Sequence, residues 1–259
     1  MRAATFSLVR AAGACWTEQG VSADGGAFRV ISGHDGDLWL ALVTGSLSGW
    51  DTGAIAVSRP ILDALEANAL ARDRPRERRW AEAFGVAQVA LDVLAPPRAE
   101  GEFDLPCCTA LCACLRGALA HVAWVGSEVA LLVRSGKVAR TTLPHTIGRD
   151  MVERGVVAPD ELHRWPHAYI PTRVLVAGRP ARPESLVAPW ALLPGDRLVL
   201  ASGRVARAYD ADELGRVASF GPPEHAARAL VEGAVAREPD RGHGACAVVA
   251  ALGSPHPYR

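Results

Sequence analysis

The sequence lacks the features that would tie it to nucleic acid or to a membrane. Its 28 basic residues are balanced by 28 acidic ones, so no net charge draws a polyanion to it. Nucleic acid is therefore not an expected partner. Lysine is almost missing: Lys137 is the only one, a bias that reads as the mark of a GC-rich genome rather than of function. No apolar run approaches the ~18–20 residues a membrane span needs. The apolar stretch between Arg2 and Arg10 is at the lower limit for a signal-peptide core and is soon followed by another charge, so it reads as a first strand. The expectations are a cytoplasmic location and no membrane partner. GxSxG, GxxxxGK[ST] and GxGxxG are also absent, which removes the serine-hydrolase, P-loop and dinucleotide readings.

What is present suits one folded domain over residues 1–259. The chain is 49% hydrophobic, enough to fill a sizeable core, and it contains no long linker, repeat or low-complexity segment. Cys107, Cys108, Cys112 and Cys114 crowd into CCTALCAC, with Cys15 and Cys246 far away. Strand alternation puts Cys108, Cys112 and Cys114 on one face, where zinc is conceivable. Paired CxxC knuckles are missing, however, so the cluster reads as buried thiols in a reducing compartment. No arginine stands five or six positions after Cys107 or Cys108, so a cysteine phosphate loop is absent too.

The hydrophobic pattern predicts AFRVIS and LWLALVTG as strands joined by the GHDGD turn at 33–37. Helical spacing follows at Ile55, Ile61, Leu62, Leu65 and Leu70, with Pro60 expected to kink or end the first segment. WAEAFGVAQVALDVLA is a second helix, with a solvated Arg-rich junction at 72–79 before it. From Cys107 to Leu143 the apolar runs and Arg-Gly and Ser-Gly turns predict an antiparallel meander. Two short helical pieces, a strand in DRLVLASG, two helices and a final buried strand, GACAVVAAL, complete the chain.

That order, with its local sequence, resembles the metal-dependent type 2C protein serine/threonine phosphatases, the PPM family. VTGSLSGWDTGAIA at 43–56 looks like the family's VADGMGGHxxGExA, with Gly49 and Gly53 kept. The stretch 107–138 is similar to GTTA…GDSR…RdG and keeps Thr109, Gly126, Arg134 and Gly136. TLPHTIGRDMVERG at 142–155 resembles TxDHsxxxxLvexG through His145 and Gly155, and LLPGDRLVLASG resembles lxpGDrlLLcSDG. The resemblance covers nearly the whole chain and implies an α+β fold: a four-layer α-β-β-α sandwich of two antiparallel sheets flanked by antiparallel helix pairs. It also implies two Mg²⁺ or Mn²⁺ ions, held by aspartates at one end, that activate water for attack on a phosphate.

Residue by residue, those aspartates are replaced. The Asp and Gly of ADG fall on Gly45 and Ser46, the Asp of SDG on Gly203, and the Asp-Asn pair of GxDNxT on His243 and Gly244. The Asp of GDSR falls on Ser127, and that of TxDH on Pro144. Around the N-terminal RxxNED motif one register puts Gly26 at the Asp, leaving Asp24 as the only nearby acid. Without carboxylates a hard dication loses both its bonds and the charge that holds it. The reading is a pseudophosphatase with no cofactor. It would act as a regulatory or scaffolding module in bacterial signalling, with a kinase or phosphoprotein as partner, and its cleft would carry no negative charge. The alternative is an active phosphatase with a rebuilt Mn²⁺ or Mg²⁺ site using His34, Asp35, Asp37 and His243. A third option is a structural subunit, with Trp50, Trp80 and Trp165 as exposed interface candidates.

Overall fold

The computed structural model describes residues 9–17, 20–22, 27–33, 37–46, 54–70, 79–95, 105–165, 167–238 and 244–253. Asp24, Gly26, His34, Asp35, Gly49, Trp50, Gly53 and His243 lie outside the described residues, as does the Arg-rich junction save Arg79. In chain order the elements are β1 (Val9–Thr17), β2 (Gly20–Ser22), β3 (Phe28–Ser32), β4 (Leu38–Ser46), α1 (Ala54–Leu70), α2 (Arg79–Val93), β5 (Cys107–Arg116), β6 (Leu119–Val125), β7 (Val129–Arg134) and β8 (Lys137–Thr141). Then come α3 (Ile147–Glu153), a 3₁₀ turn (Pro159–Arg164), β9 (Leu175–Val176), β10 (Glu184–Ser185), β11 (Trp190–Ala191), β12 (Arg197–Ala201), α4 (Gly203–Arg207), α5 (Ala211–Ser219), α6 (Pro223–Arg237) and β13 (Cys246–Leu252).

Two antiparallel sheets face each other. One runs β2-β1-β13-β12-β7-β8; the other runs β10-β6-β5-β4-β3, with β11 also paired to β6 and β9 to β5. Alternation along each strand builds two cores at once. On β4, Leu40 and Leu42 point between the sheets, while Ala41 and Val43 point to α1 and α2. Both faces are covered, so the strand reads as an almost unbroken apolar run. Val57, Ile61, Leu62 and Leu65 of α1 and Phe84, Ala87 and Leu91 of α2 close the outer face of this sheet. Leu214 and Ala218 of α5, with Leu230, Val231 and Ala234 of α6, do the same for the other sheet. The expected four layers are present. Among the described residues no helix is long and apolar enough to cross a membrane.

Two expectations need correction. The stretch from Cys107 to Thr141 is not one meander: β5 and β6 lie in one sheet, β7 and β8 in the other. The chain crosses between sheets at Gly126–Glu128, where Gly126 takes φ +113, a conformation L side chains rarely adopt. Nor does Pro60 end a first helical segment: α1 runs on through it from Ala54 to Leu70. A proline inside a helix costs about 3 kcal/mol, but the buried stripe on either side of it outweighs this at ~1.5–3 kcal/mol for each large side chain. Trp80 is half-buried and sits edge-on to Trp39 at 5.5 Å, so it is not a free interface residue; Trp165 is exposed.

Candidate functional site

At one end of the sandwich the apolar layer between the sheets stops and polar side chains take over. Thr44 follows Leu40 and Leu42 on the inner face of β4, and Thr109 precedes Leu111 on β5. Strand register sets them side by side, and their hydroxyl oxygens are 2.8 Å apart. Glu128, the last residue of the crossing, meets them from the opposite sheet. Its Oε1 accepts from Thr44 Oγ1 at 2.6 Å and from Thr109 Oγ1. Thr109 Oγ1 is also 3.2 Å from the Thr44 carbonyl. Glu128 has no exposed surface, and its Oε2 has no hydrogen-bond partner. Burial pushes its carboxyl up to about 7, although the two hydroxyls and a backbone N–H pull the other way.

The crossing is held from its other side by His145. Its backbone N–H donates to the Gly126 carbonyl at 2.8 Å, and the Gly126 N–H donates to His145 Nδ1 at 3.1 Å. An accepting Nδ1 puts the ring proton on Nε2, which faces Glu184 Oε2 at 2.9 Å, with Arg173 Nη1 also 3.1 Å from that nitrogen. The ring stacks on Trp124 at 6.0 Å, and Glu184 also accepts from Arg149 Nη1 at 3.0 Å. Burial lowers the His145 pKa despite the Glu184 partner. For Glu184 burial raises the pKa, but the bonds from Arg149 and His145 win and the net shift is downward.

Three of the positions aligned with the family's aspartates gather here. Ser202 follows β12 and caps α4, its Oγ accepting from the N–H groups of Val205 and Cys246. Behind it, Gly203 lies so close to Ser127 that a Cβ there would come within 2.9 Å of the serine Cβ and Oγ. Gly45 pairs with Cys108, and a Cβ on it would meet Val57 at 2.8 Å and Cys108 at 2.9 Å. Ser46 ends β4 opposite Cys107, and Gly244 (φ +98) stands two residues before β13 with open space around it. Neither Gly45 nor Gly203 has room for even a Cβ without a neighbour moving. As they stand, the described residues do not fit the two-metal centre that the fold implies.

The other candidates do not join them. Asp37 lies at the far end of β4, eight residues from Gly45, about 26 Å along a strand. There it is buried and bonded to Arg116 Nε at 2.8 and 2.9 Å. That removes it from a rebuilt centre with Gly45, Ser127 and Gly203. Cys108, Cys112 and Cys114 do share one face, but they pack among the helix-side apolar residues. Burial raises the Cys107 and Cys108 thiols and pushes Cys112 up to about 12, the opposite of what a nucleophile needs. Among the described residues no group of three His, Cys, Asp or Glu side chains is placed to hold a metal ion.

Glu128 is the residue that sequence reasoning passed over. It falls on the serine of GDSR, just beyond a missing aspartate, and Thr44 falls on the alanine of ADG. Its signal is plain in retrospect: a single acid inside WVGSEVALLV. It also corrects the expectation of a cleft lined only by uncharged groups.

This architecture is that of the PPM-type serine/threonine phosphatases. No family model and no curated protein matches the sequence. Solved structures do match. Stp1 from Staphylococcus aureus superposes with a TM-score of 0.77 at 17% identity, covering 98% of this chain and 99% of its own. The PstP/Ppp phosphatase of Mycobacterium tuberculosis gives 0.75 at 20% identity, over 95% and 99%; the catalytic domain of a PstP has also been solved with 2 manganese ions. PppA, a key regulatory component of T6SS in Pseudomonas aeruginosa, gives 0.64 at 18% identity, over 95% and 99%.

Proposed function

We propose that this chain is a pseudophosphatase: a PPM-fold protein that works by binding a protein partner instead of hydrolysing phosphate. The observation that carries the reading is the closed packing at Gly45 and Gly203. Two positions that align in sequence with the family's metal-binding aspartates hold glycines, and neighbouring side chains and backbone lie too close to them for a Cβ to fit without a shift. Clustered carboxylates without metal repel one another, so their replacement by glycine also relieves the fold of a penalty. The partner class we propose is a kinase or phosphoprotein, in a bacterial signalling role.

The test is hydrolysis of p-nitrophenyl phosphate by the purified protein with and without millimolar Mn²⁺. The expected result is no metal-dependent turnover, in the native chain or in the Gly45→Asp, Gly203→Asp double variant, because restored carboxylates lack space as well as company. A second reading, a phosphatase with a rebuilt centre, draws support from Glu128, a buried carboxylate with one bare oxygen in the same layer. Mn²⁺-dependent turnover lost in His243→Ala or Glu128→Gln would establish that reading and sink the first.

A further inference from the structure

We propose that β8 is a docking edge: an acidic, extended segment of a partner protein adds to it as a further strand of the six-stranded sheet. The proposal rests on the reading that this chain works by binding a protein, but not on the absence of turnover, so the two can fail separately.

β8 is the last strand of its sheet, and among the described residues β7 alone pairs with it. Alternation decides which of its backbone groups are open. Lys137 pairs with Arg134 to close the hairpin, and the Thr142 N–H donates to the Ala130 carbonyl at 3.0 Å. With both ends of the ladder fixed, the N–H and C=O groups of Val138 and Thr141 face away from β7. Four of the five residues of β8 are exposed, and Val138 is half-buried. The edge therefore offers donors and acceptors at a spacing that extended backbone matches.

A bulge sets the charge of this edge. On a regular strand, residues three apart point to opposite faces. Here the register shifts between Leu132 and Val133, so that Lys137 stands opposite Arg134 and Arg140 opposite Leu132. Leu132 points between the sheets, so both cations lie on that face together with Arg134. Arg134 is spent on Asp196, at 2.8 and 2.7 Å. Lys137 and Arg140 are exposed and have no ion-pair partner among the described residues.

The other face of β8 is closed by α5: a Cβ on Gly215 would come within 2.5 Å of the Gly136 carbonyl oxygen. Of the acids around α5, Asp210 caps the helix and Glu213 pairs with Arg237. Asp212 is left without a described partner, and so is Arg216. Three unmatched cations thus face one unmatched acid on these two elements. Lysine, arginine and a bulge on an edge keep neutral and basic strands from pairing there. The same features favour a strand with Asp or Glu along one face, because opposite charges across a strand pair attract and like charges repel. Backbone bonds would hold such a segment, and the two cations would select it. Nucleic acid could meet the charges but not the open backbone groups.

The test uses the whole chain and a short, terminally blocked peptide of alternating Glu and Thr at millimolar concentration. Lys137 is the only lysine, so coupling a peptide carboxylate to an ε-amine reports on this edge alone. A carbodiimide drives that coupling: the amide forms with loss of water, which the reagent takes up as a urea. Mass mapping is expected to find the amide at Lys137. Hydrogen–deuterium exchange at Val138 and Thr141 is expected to slow several-fold, with affinity falling roughly tenfold in Lys137→Glu, Arg140→Glu, where two attractions become repulsions. The same peptide N-methylated at alternate residues keeps its charge but loses the N–H groups that would pair, and it should give no protection. Equal protection by the methylated peptide, unchanged affinity in the double variant, or no protection of β8 by the parent peptide overturns the proposal. Displacement of the parent peptide by an equal charge of oligothymidylate overturns it too. Mn²⁺-dependent turnover of p-nitrophenyl phosphate would instead sink the pseudophosphatase reading and leave this edge standing.

Discussion

Glu128 and His145 reach the same three-residue crossing from opposite sides, and burial moves their pKa values in opposite directions. The carboxyl is raised, so stability is full below its ordinary 4.5 and is lost as pH climbs to about 7. The imidazole is lowered, so its folded form is neutral. The unfolded chain binds the extra proton, and stability is lost as pH falls below the ordinary 6.5. The cause is burial first, with the charges of Arg173 and Arg149 acting the same way against the pull of Glu184. In His145→Gln this acid-side loss should disappear, so the gap in Tm between native chain and variant should narrow from pH 7.5 to pH 5. An unchanged gap would mean that His145 contributes packing and no titration.

Among the elements, α1 shows most directly how packing overrides local preference. Pro60 removes the N–H that would bond the Ala56 carbonyl, yet Ala56 is exposed, where water can take the carbonyl up. The side chains that matter, Val57, Ile61, Leu62 and Leu65, keep their spacing through it. Pro60→Ala should therefore stabilise the fold, by about 1–2 kcal/mol once the freer unfolded chain is set against the restored bond. Denaturant midpoints would show it; a lower midpoint would mean that the proline ring makes a packing contact worth more than the bond. The β7–β8 hairpin tells the complementary story. Its two-residue turn takes φ +49 at Ser135 and +74 at Gly136, the left-handed pair that suits the twist of adjacent strands. The Ser-Gly pair signalled this turn in the sequence; Ser135 takes a conformation unfavourable to L side chains because the two-residue connection requires it.

For the molecule as a whole, the two readings of function differ in what metal does to stability. An ion that binds only the folded state raises Tm with its concentration. With no fitted ligand set among the described residues, millimolar Mn²⁺ or excess EDTA should leave Tm within about a degree of the metal-free value. A rise of several degrees, reversed by EDTA, would favour the rebuilt centre. The polar end layer is where such an ion would act, because the rest of the space between the sheets is filled by Leu, Val, Ala and Trp side chains.

Much of this was legible in the linear chain. Apolar runs such as LWLALV read as strands, and the turn signals between them pointed to antiparallel pairing. Spaced motif remnants around Gly45, Gly126, His145 and Gly203 marked the sandwich and the losses at its functional end. Periodicity reports which faces are buried, but not which sheet a strand joins. The split of β5–β6 from β7–β8 therefore waited for the left-handed Gly126. Nor could the sequence place Asp37 at the far end of β4, or bring Thr44, Thr109 and Glu128 together over 84 residues of chain. Those are long-range facts, decided when two twisted sheets close face to face and the last polar side chains between them must find partners in one another.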